Sequence, residues 1–341
     1  MRREAHRRRE AGLCIGVDVG GTKISAALFA DDGTMLSKMR VPIDRNGPDG
    51  PVAQIASAIA ELAAVAGKSE SDGSGTETSH PRPVEAVGIV VPGVVFHDSG
   101  EVWAPNIAGW DHFPLAARLG ERTSVPLVLD SDRAAYVLGE QWCGVAKGLR
   151  NVVFVAFGTG IGAGILVDGR LVRGTGDVAG AVGWFALDPR FRPEYGERGC
   201  FECEASGSAV GRAARRALEQ GRTSAIAEIA AGSGGEVTAE TVFRAAAAGD
   251  ALAEEILDHV AEAMAMGIAN IVSILNPEIV VLGGGLFQSD LRLLEPVRAR
   301  VARWAQPLAA AAVRIEPSGL GEDAGLFGAA KLAWDSVRVW P

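Results

Sequence analysis

Two stretches of the chain, about half a chain apart, repeat the same order of apolar runs and glycine-rich turns. Residues 15–36 read IGVDVGGTKISAALFADDGTML, and residues 152–172 read VVFVAFGTGIGAGILVDGRLV. Each has an apolar run, a Gly/Thr turn, a second apolar run, an Asp-Gly turn and a further apolar run, and Asp-Gly between apolar runs is a strong hairpin signal. Unrelated glycine-punctuated hairpins also look alike, but the matching order of turns favours a duplicated architecture with a cleft between its halves.

Short β-rich runs alternate with helical runs along the chain, which predicts an α/β protein. The predicted strands cover residues 13–19, 84–91, 127–130, 151–157 and 279–282, and the predicted helices cover residues 52–66, 133–143 and 251–275. In the last helix apolar residues recur every three or four positions. Asp250 is a fitting N-cap for it, and Asn276-Pro277 is a fitting stop.

The length of 341 residues predicts two domains. We expect a small N-terminal α/β domain over residues 12–130 and a larger α/β domain over residues 131–330, with a C-terminal helix near residues 331–341 packing on the first. Residues 67–83 read GKSESDGSGTETSHPRP, which predicts an exposed flexible loop. Residues 1–11 are expected to be a disordered tail.

Composition excludes several classes of protein. The formal net charge of −9 argues against a protein that coats nucleic acid. No apolar run approaches the roughly 18–20 residues of a membrane span, and the basic N-terminal stretch has too short an apolar run after it for a secretory leader. Four cysteines are too few for a disulfide scaffold and favour a reducing compartment. We therefore expect a cytoplasmic protein without nucleic-acid or membrane partners.

Three glycine-rich turns at strand ends are candidate phosphate-binding elements. Glycine N–H groups and a threonine hydroxyl can hold phosphate oxygens, whereas the carboxylate at the first turn would repel bare phosphate and is expected to face Mg²⁺ or its water shell. Each turn alone is more often a plain tight turn, but three of them favour a nucleotide. Neither a P-loop nor a Rossmann fingerprint fits, because a strand follows the second turn. The candidates are Asp18, Gly20, Gly21, Thr22 and Lys23; Gly158, Thr159 and Gly160; and Gly283, Gly284 and Gly285.

These turns resemble those of the ROK family (repressors, open reading frames, kinases), whose sugar kinases have an actin-like ATPase fold. Residues 88–93, 105–110, 199–202 and 206–207 also match the family, and the resemblance runs from about residue 12 to about residue 331. It implies an α/β fold of two actin-like (ribonuclease H-like) ATPase domains with an interdomain cleft. It also implies ATP and Mg²⁺, a sugar-like substrate and a homo-oligomer, often a dimer. Because only about a dozen residues precede the first strand, the kinase branch is favoured over the repressors, which usually carry an N-terminal helix-turn-helix domain.

The resemblance also implies the catalytic residue. The family motif commonly reads Glu-Asn-Asp-Ala-Asn, and residues 130–134 read DSDRA here, so Asp132 aligns with the general base that takes a proton from a sugar hydroxyl. A helix N-terminus favours its ionised form, although Ser and Asp before a helix are also ordinary caps. Sugar contacts are implied at Gly93, Asn106, Ser131 and Glu202. The alternatives are turn residues for Gly93 and Asn106 and a partly solvated structural carboxylate for Glu202.

One family motif is missing from this chain. Most family kinases have Glu-x-Gly-His where residues 181–184 read AVGW, and the family's four zinc ligands fall on Trp184, Pro193, Tyr195 and Cys200. The CxxC at residues 200–203 has no second pair or nearby histidine to complete a tetrahedral site. We therefore expect no zinc. We expect Trp184, Phe185 and Tyr195 to fill that region as an apolar core, with a substrate contact by Trp184 as the alternative.

The leading hypothesis is an ATP- and Mg²⁺-dependent phosphotransferase that phosphorylates the primary hydroxyl of a hexose or hexose-like substrate. The missing Glu and His weaken recognition of glucose, so an amino sugar or a cyclitol analogue is a plausible acceptor as well. The rivals are a sugar sensor of the same fold with little or no turnover and an actin-like structural ATPase. Retention of Asp18 and Asp132 favours the enzyme.

Overall fold

The computed structural model describes residues 12–67, 82–288 and 290–338. The strands within these residues are β1 (Leu13–Val19), β2 (Lys23–Phe29), β3 (Met35–Pro42), β4 (Val84–Val91), β5 (Val94–Phe96), β6 (Glu101–Trp103), β7 (Leu127–Ser131), β8 (Val152–Phe157), β9 (Ile161–Val167), β10 (Arg170–Leu171), β11 (Ile279–Gly283) and β12 (Arg314–Pro317). The tail expected at residues 1–11, and residues 68–81 of the loop expected at 67–83, lie outside the described residues.

Thirteen α-helices lie within the described residues. They are α1 (Asp49–Ala66), α2 (Leu115–Gly120), α3 (Asp132–Cys143), α4 (Tyr195–Arg198), α5 (Cys200–Ala205), α6 (Gly207–Glu219), α7 (Ala225–Ala231), α8 (Ala239–Ala247), α9 (Ala251–Leu275), α10 (Gly285–Gln288), α11 (Leu294–Trp304), α12 (Pro307–Ala312) and α13 (Ala324–Val337). Short 3₁₀ turns lie at Thr175–Asp177, Val182–Trp184 and Gly321–Asp323. The predicted strands and helices are confirmed, with ends that differ by a few residues at most.

The chain divides into two compact units. Unit 1 contains residues up to 143, residues 174–177 and residues from 323 onward, and unit 2 contains residues 144–173 and 178–322. The boundary expected after residue 130 is therefore displaced to residue 143. The physical reason is that α3 follows β7 without a linker and packs against α13, which also belongs to unit 1. The helix expected near residues 331–341 begins earlier, at Ala324.

Each unit contains one five-stranded sheet, and the two sheets have the same topology. The strand order is β3-β2-β1-β4-β7 in unit 1 and β10-β9-β8-β11-β12 in unit 2. In both sheets the first three strands are antiparallel neighbours, and the last two strands pair in parallel. The two sequence repeats fall on β1–β3 and on β8–β10. The predicted duplication is confirmed.

Helix α9 is the central helix of the unit 2 core. The Asp250 carboxylate accepts a hydrogen bond of 2.9 Å from the Ala253 N–H at its start, and Asn276 ends it in a left-handed conformation with φ of 44°. By length and composition α9 is the one helix within the described residues that could cross a membrane, but 67% of its most apolar window is buried inside the protein. That burial is typical of a core helix.

Helix α13 packs on the unit 1 sheet through glycines. A Cβ atom at Gly16 of β1 would overlap the carbonyl oxygen of Leu326, and one at Gly88 of β4 would overlap that of Ala329. The helix backbone therefore lies directly on the strands, which explains why these positions hold the one residue without a side chain. This contact brings the start of α13 to the carboxyl end of β1.

Residues 174–177 belong to unit 1 through a bridging histidine. His97 Nδ1 lies 2.9 Å from Asp177 Oδ1, and His97 Nε2 lies 3.6 Å from Asp130 Oδ2 at the end of β7. The His97 side chain thus joins this short segment to the strand that precedes Asp132.

Candidate active site

The first glycine-rich turn joins β1 to β2 and packs on Asn106. The Gly20 N–H donates to the Lys23 carbonyl oxygen at 2.9 Å, which closes the turn. A Cβ atom at Gly21 would lie 3.2 Å from the Asn106 Cβ. Gly21 and Asn106 both line a cavity of about 270 Å³, together with Asp44 and Arg45 of the segment that follows β3. The structure therefore brings one phosphate-binding candidate and one sugar-binding candidate into the same cavity of unit 1.

The register of the unit 1 sheet brings Asp18 towards the start of α3. Asp18 pairs with Val90 of β4, and Val90 pairs with Asp130 of β7. Because these three strands are parallel, their carboxyl ends meet at one edge of the sheet. Asp132 follows two residues beyond Asp130. The sheet topology thus places the two predicted carboxylates at the same edge.

Asp18 occupies a half-buried position beside the first turn of α13. A Cβ atom at Gly325 would lie 2.6 Å from Asp18 Oδ2, so the glycine leaves room for this carboxylate. Burial, with the neighbouring charge of Asp132 as a second cause, raises the pKa of Asp18 to about 7, and Lys23 opposes that rise. A carboxylate with this surplus of negative charge beside it is suited to a cation.

Asp132 is the first residue of α3, but the N-cap hydrogen bond comes from its neighbour. The Ser131 hydroxyl accepts from the Ala134 N–H at 3.3 Å, whereas Asp132 Oδ1 accepts from the Arg133 N–H at 2.8 Å. Burial raises the pKa of Asp132 to about 6, and the Arg133 guanidinium is the largest opposing cause. The helix therefore does not depend on Asp132 for its cap. Ser131, expected as a sugar contact, is only 9% exposed.

Gly93 is hydrogen-bonded to a residue of α3. It has φ of 144°, and a Cβ atom there would overlap the Trp103 carbonyl oxygen, so the position requires glycine. The Arg133 guanidinium donates to the Gly93 carbonyl oxygen at 3.3 Å. This hydrogen bond fixes the Gly93 turn relative to the residue that follows Asp132.

The second glycine-rich turn, in unit 2, is held by Glu202. The Ile161 N–H donates to Glu202 Oε2 at 2.9 Å, and a Cβ atom at Gly160 would lie 2.5 Å from that oxygen. The turn is closed by a hydrogen bond of 3.0 Å from the Gly158 N–H to the Gly160 carbonyl oxygen. Glu202 thus has a structural role, as in the alternative given for it from the sequence. A contact between Glu202 and the substrate stays a prediction.

A cavity of about 720 Å³ opens beside this turn in unit 2. Its volume lies in the range of small-molecule sites. It also reaches Gly285 of the third turn, while Gly283 and Gly284 line a neighbouring cavity of about 520 Å³. Sequence reasoning missed the cavity residues that come from α6, from α8 and from the segment before α8, because packing of helices, not a local motif, creates the cavity. They are Ser208, Arg215, Glu236, Thr238, Phe243 and Arg244.

Comparison with known proteins identifies the family. The profile of the ROK family matches residues 14–336. The chain belongs to the ROK family. It is 34% identical to a glucokinase of Thermotoga maritima over 95% of this chain and 98% of that protein, and 30% identical to an N-acetylmannosamine kinase of Citrobacter koseri over 94% and 98%.

Solved structures agree with this membership. A ROK family glucokinase from Streptomyces griseus, solved in complex with glucose and AMPPNP, is 32% identical with a TM-score of 0.76, and the match covers 95% of this chain and 99% of that chain. The fold class expected from the resemblance, two actin-like ATPase domains, is confirmed.

Trp184, which the family resemblance aligned with a zinc-binding histidine, is not part of the core. Its side chain is 57% exposed, whereas Val182 of the same 3₁₀ turn is 5% exposed. The expectation for Trp184 was wrong because a turn of three residues points residues 182 and 184 in different directions. Phe185 and Tyr195 do pack inward: Phe185 stacks on Phe201 with 6.4 Å between ring centroids, and Tyr195 is 5% exposed.

The two nearby cysteines of the CxxC have local partners. Cys200 Sγ accepts from the Leu187 N–H at 3.3 Å, and the Cys203 thiol donates to the Glu194 carbonyl oxygen at 3.5 Å. Within the described parts of the chain, no group of three or more His, Cys, Asp or Glu side chains is placed to hold a metal ion.

The exposure of Trp184 leads to a stability prediction. Trp184→Ala should lower the free energy of unfolding by only about 1–2 kcal/mol, because the half-exposed ring buries only part of its apolar surface. Phe201→Ala, at a fully buried ring, should cost about 3–5 kcal/mol. Urea unfolding of both variants measures the contrast. Equal losses would mean that Trp184 is part of the core after all.

The raised pKa of Asp18 leads to a pH prediction. Its folded-state value of about 7 lies above the ordinary 3.8, so the unfolded chain loses this proton first and stability declines as pH rises from about 4 to about 7. Asp18→Asn removes the part of the decline that is due to Asp18, and in the presence of EDTA it should stabilise the protein at pH 8 by about 2–4 kcal/mol relative to wild type.

A matched control separates this effect from the substitution itself. The exposed Asp32 carboxylate accepts from the Thr34 N–H, which lowers its pKa. Asp32→Asn should therefore give no gain at pH 8. Urea unfolding at pH 5 and pH 8 measures both variants, and an Asp18→Asn effect that is the same at the two pH values would contradict the prediction.

Proposed function

We propose that this sugar kinase transfers the γ-phosphoryl group of ATP to the primary hydroxyl of a hexose or hexose-like acceptor, with Asp132 as the general base. The observation that carries the proposal is the position of Asp132. Asp132 is the first residue of α3, and its half-buried carboxylate is not needed to cap that helix. It lies at the same edge of the sheet as Asp18. The full-length similarity to a glucokinase and an N-acetylmannosamine kinase, and the AMPPNP complex of the Streptomyces griseus relative, support the sugar acceptor and the ATP donor.

The chemical step is a phosphoryl transfer assisted by proton removal. Asp132 accepts the proton of the acceptor hydroxyl while that oxygen forms a bond to the γ-phosphorus, and the bond from the γ-phosphorus to the bridging oxygen of ADP breaks. With a pKa of about 6, the carboxylate is largely ionised at neutral pH and is still basic enough to take a proton. Asn106, Ser131, Glu202 and the backbone of Gly93 are the proposed acceptor contacts.

The donor is proposed to bind through the three glycine-rich turns. The backbone at Gly20, Gly21, Gly158, Thr159, Gly160, Gly283, Gly284 and Gly285 lets phosphate oxygens approach closely, and the Thr22 hydroxyl and the Lys23 ammonium are suited to bind them. Asp18 would hold Mg²⁺ through its water shell, which fits the surplus negative charge that Asp132 adds beside it. When bound, Mg²⁺ neutralises phosphate charge. No zinc is part of this proposal, because Trp184 replaces the family's histidine.

The identity of the acceptor is the finer part of the proposal. Ala181 and Trp184 replace the glutamate and histidine that contact sugar in most family kinases. Losing hydrogen bonds to charged side chains, each worth about 1.5–3 kcal/mol, should weaken glucose binding from several-fold to a hundredfold. The exposed Trp184 ring is free to cover a less polar edge of an acceptor. An amino sugar or a cyclitol analogue therefore competes with glucose as the best substrate.

A coupled assay of ADP release against a panel of hexoses, amino sugars and cyclitols tests the proposal. The protein is first dialysed against EDTA, and Mg²⁺ alone is added back. The expected result is ADP release with one acceptor, a phosphorylated product by mass spectrometry, and full activity without added zinc. Acceptor binding by calorimetry without ADP release would favour the rival sugar sensor instead, and a glucose kcat/KM equal to that of ordinary family glucokinases would overturn the altered acceptor.

We also propose a compartment and an oligomeric state: the enzyme is cytoplasmic and forms a homodimer. All four cysteines are free thiols, which suits a reducing compartment. Light scattering after size-exclusion chromatography measures the oligomeric state.

A further inference from the structure

Tyr136 lies one helical turn after Asp132 on the same face of α3. Its hydroxyl is 3.4 Å from Asp132 Oδ2 and donates a hydrogen bond to it, while Asp132 Oδ1 accepts from the Arg133 N–H at 2.8 Å. Each carboxylate oxygen thus has its own donor: the Tyr136 hydroxyl for Oδ2 and the Arg133 backbone N–H for Oδ1. Two donors on two oxygens define the plane of the carboxylate as well as its direction.

The surroundings of Tyr136 keep it a donor. The side chain is half-buried and faces the carboxylates of Asp132 and Asp18. Burial, and then these two negative charges, raise the pKa of the phenol well above its ordinary value, so the O–H stays protonated. A neutral donor also leaves the negative charge of the two carboxylates intact. A lysine or arginine at this position would neutralise part of the charge that suits a cation.

The ring makes this donor rigid. A tyrosine hydroxyl is positioned by only two side-chain torsions, fewer than the terminal group of a lysine or arginine. An oxygen of a carboxylate has two lone pairs, so Asp132 Oδ2 can accept from Tyr136 and still take a proton from an acceptor hydroxyl. Without the phenol, Oδ2 loses the hydrogen bond from Tyr136 and the carboxylate can rotate about its last torsion.

We propose that Tyr136 is a positioning residue that orients the Asp132 carboxylate for proton removal. The inference rests on the proposed function, because it assigns Tyr136 a role through the general base. A group held in the productive geometry before reaction contributes to turnover and not to substrate affinity. The effect of losing the hydroxyl should therefore fall on kcat.

The test compares the two tyrosines of the chain. Tyr136→Phe removes one oxygen atom and should lower kcat about tenfold, while KM for ATP and for the acceptor stays within about twofold. The matched control is Tyr195→Phe, whose lost hydroxyl donates at 2.8 Å to Glu204 in unit 2. That control should keep the wild-type kcat. Thermal unfolding of both variants shows that they are folded.

A double-mutant cycle with Asp132→Asn gives the second readout. If Tyr136 acts through Asp132, adding Tyr136→Phe to Asp132→Asn should lower the residual rate by less than about twofold. A tenfold loss in both backgrounds, or a wild-type kcat for Tyr136→Phe alone, would overturn the inference. If wild type phosphorylates no acceptor of the panel, the proposed function fails and this inference with it. If wild type is active and Asp132→Asn is not, a fully active Tyr136→Phe refutes the role of Tyr136 alone.

Discussion

Asp132→Asn is expected to lower turnover about 100-fold or more while the protein stays fully folded. Asparagine has nearly the same size and can still accept the hydrogen bond from the Arg133 N–H, but it cannot take a proton. A positioned general base contributes about 10²–10⁴ in rate, and this contribution is lost. The KM values should change little, because the carboxylate acts on the transition state more than on binding.

The stability of this variant should not decline. The N-cap hydrogen bond of α3 comes from Ser131, so the substitution removes no cap. It also removes a charge that raises the pKa of Asp18, which means that a repulsion disappears. The Tm at pH 8 should therefore equal or exceed that of wild type.

Steady-state kinetics with the best acceptor, alongside thermal unfolding, measures both effects. Asp32→Asn is the control for an asparagine substitution at an exposed carboxylate of the same unit, and it should keep wild-type turnover. Near-normal kcat in Asp132→Asn would show that another group removes the proton. A large loss of Tm would instead mean that the carboxylate is structural.

Sequence reasoning succeeded where structure depends on neighbouring residues. The bounds of β1, β4 and α9 follow from runs of apolar residues and from their caps, and they are confirmed to the residue. The duplicated sheets also follow from the order of turns and strands. Such features can be predicted because the spacing of apolar residues and the identity of turn residues determine each helix, strand or hairpin from its own short stretch of sequence.

The missed features depend on packing between distant parts of the chain. The boundary between units was misplaced because α13 returns to pack on α3, and no local pattern records that contact. Trp184 was predicted to lie in the core because bulky residues stand where the family has metal ligands. The short 3₁₀ turn at residues 182–184 instead directs its side chain toward solvent. The hydrogen bond from the Ile161 N–H to Glu202, and the nearness of Asp18 to Asp132, likewise arise only after the sheets have formed.

Gly328→Ala is expected to destabilise unit 1 by about 3 kcal/mol or more. A Cβ atom at Gly328 of α13 would overlap the carbonyl group and Cα atom of Ala135 in α3. These are backbone atoms of α3, so they cannot turn aside as a flexible side chain can. Relief requires the two helices to separate, and overpacking of this kind is among the costly core substitutions.

Gly120→Ala is the matched control. Gly120 ends α2, and a Cβ atom there would meet nothing within 4 Å. Alanine is the better helix former, so this variant should be as stable as wild type or more stable by up to about 1 kcal/mol. Urea unfolding of the two variants measures the contrast, and a Gly328→Ala protein as stable as Gly120→Ala would contradict the close contact of α13 with α3.

The same contact connects stability to activity. Helix α3 carries Asp132 at its first residue, and α13 begins next to the Asp18 carboxylate. Separating the two helices displaces both carboxylates together. Any Gly328→Ala protein that remains folded at low temperature should therefore lose kcat as well as Tm, whereas Gly120→Ala should keep both. A folded Gly328→Ala protein with normal kcat would mean that the active-site edge of unit 1 does not depend on the packing of α13.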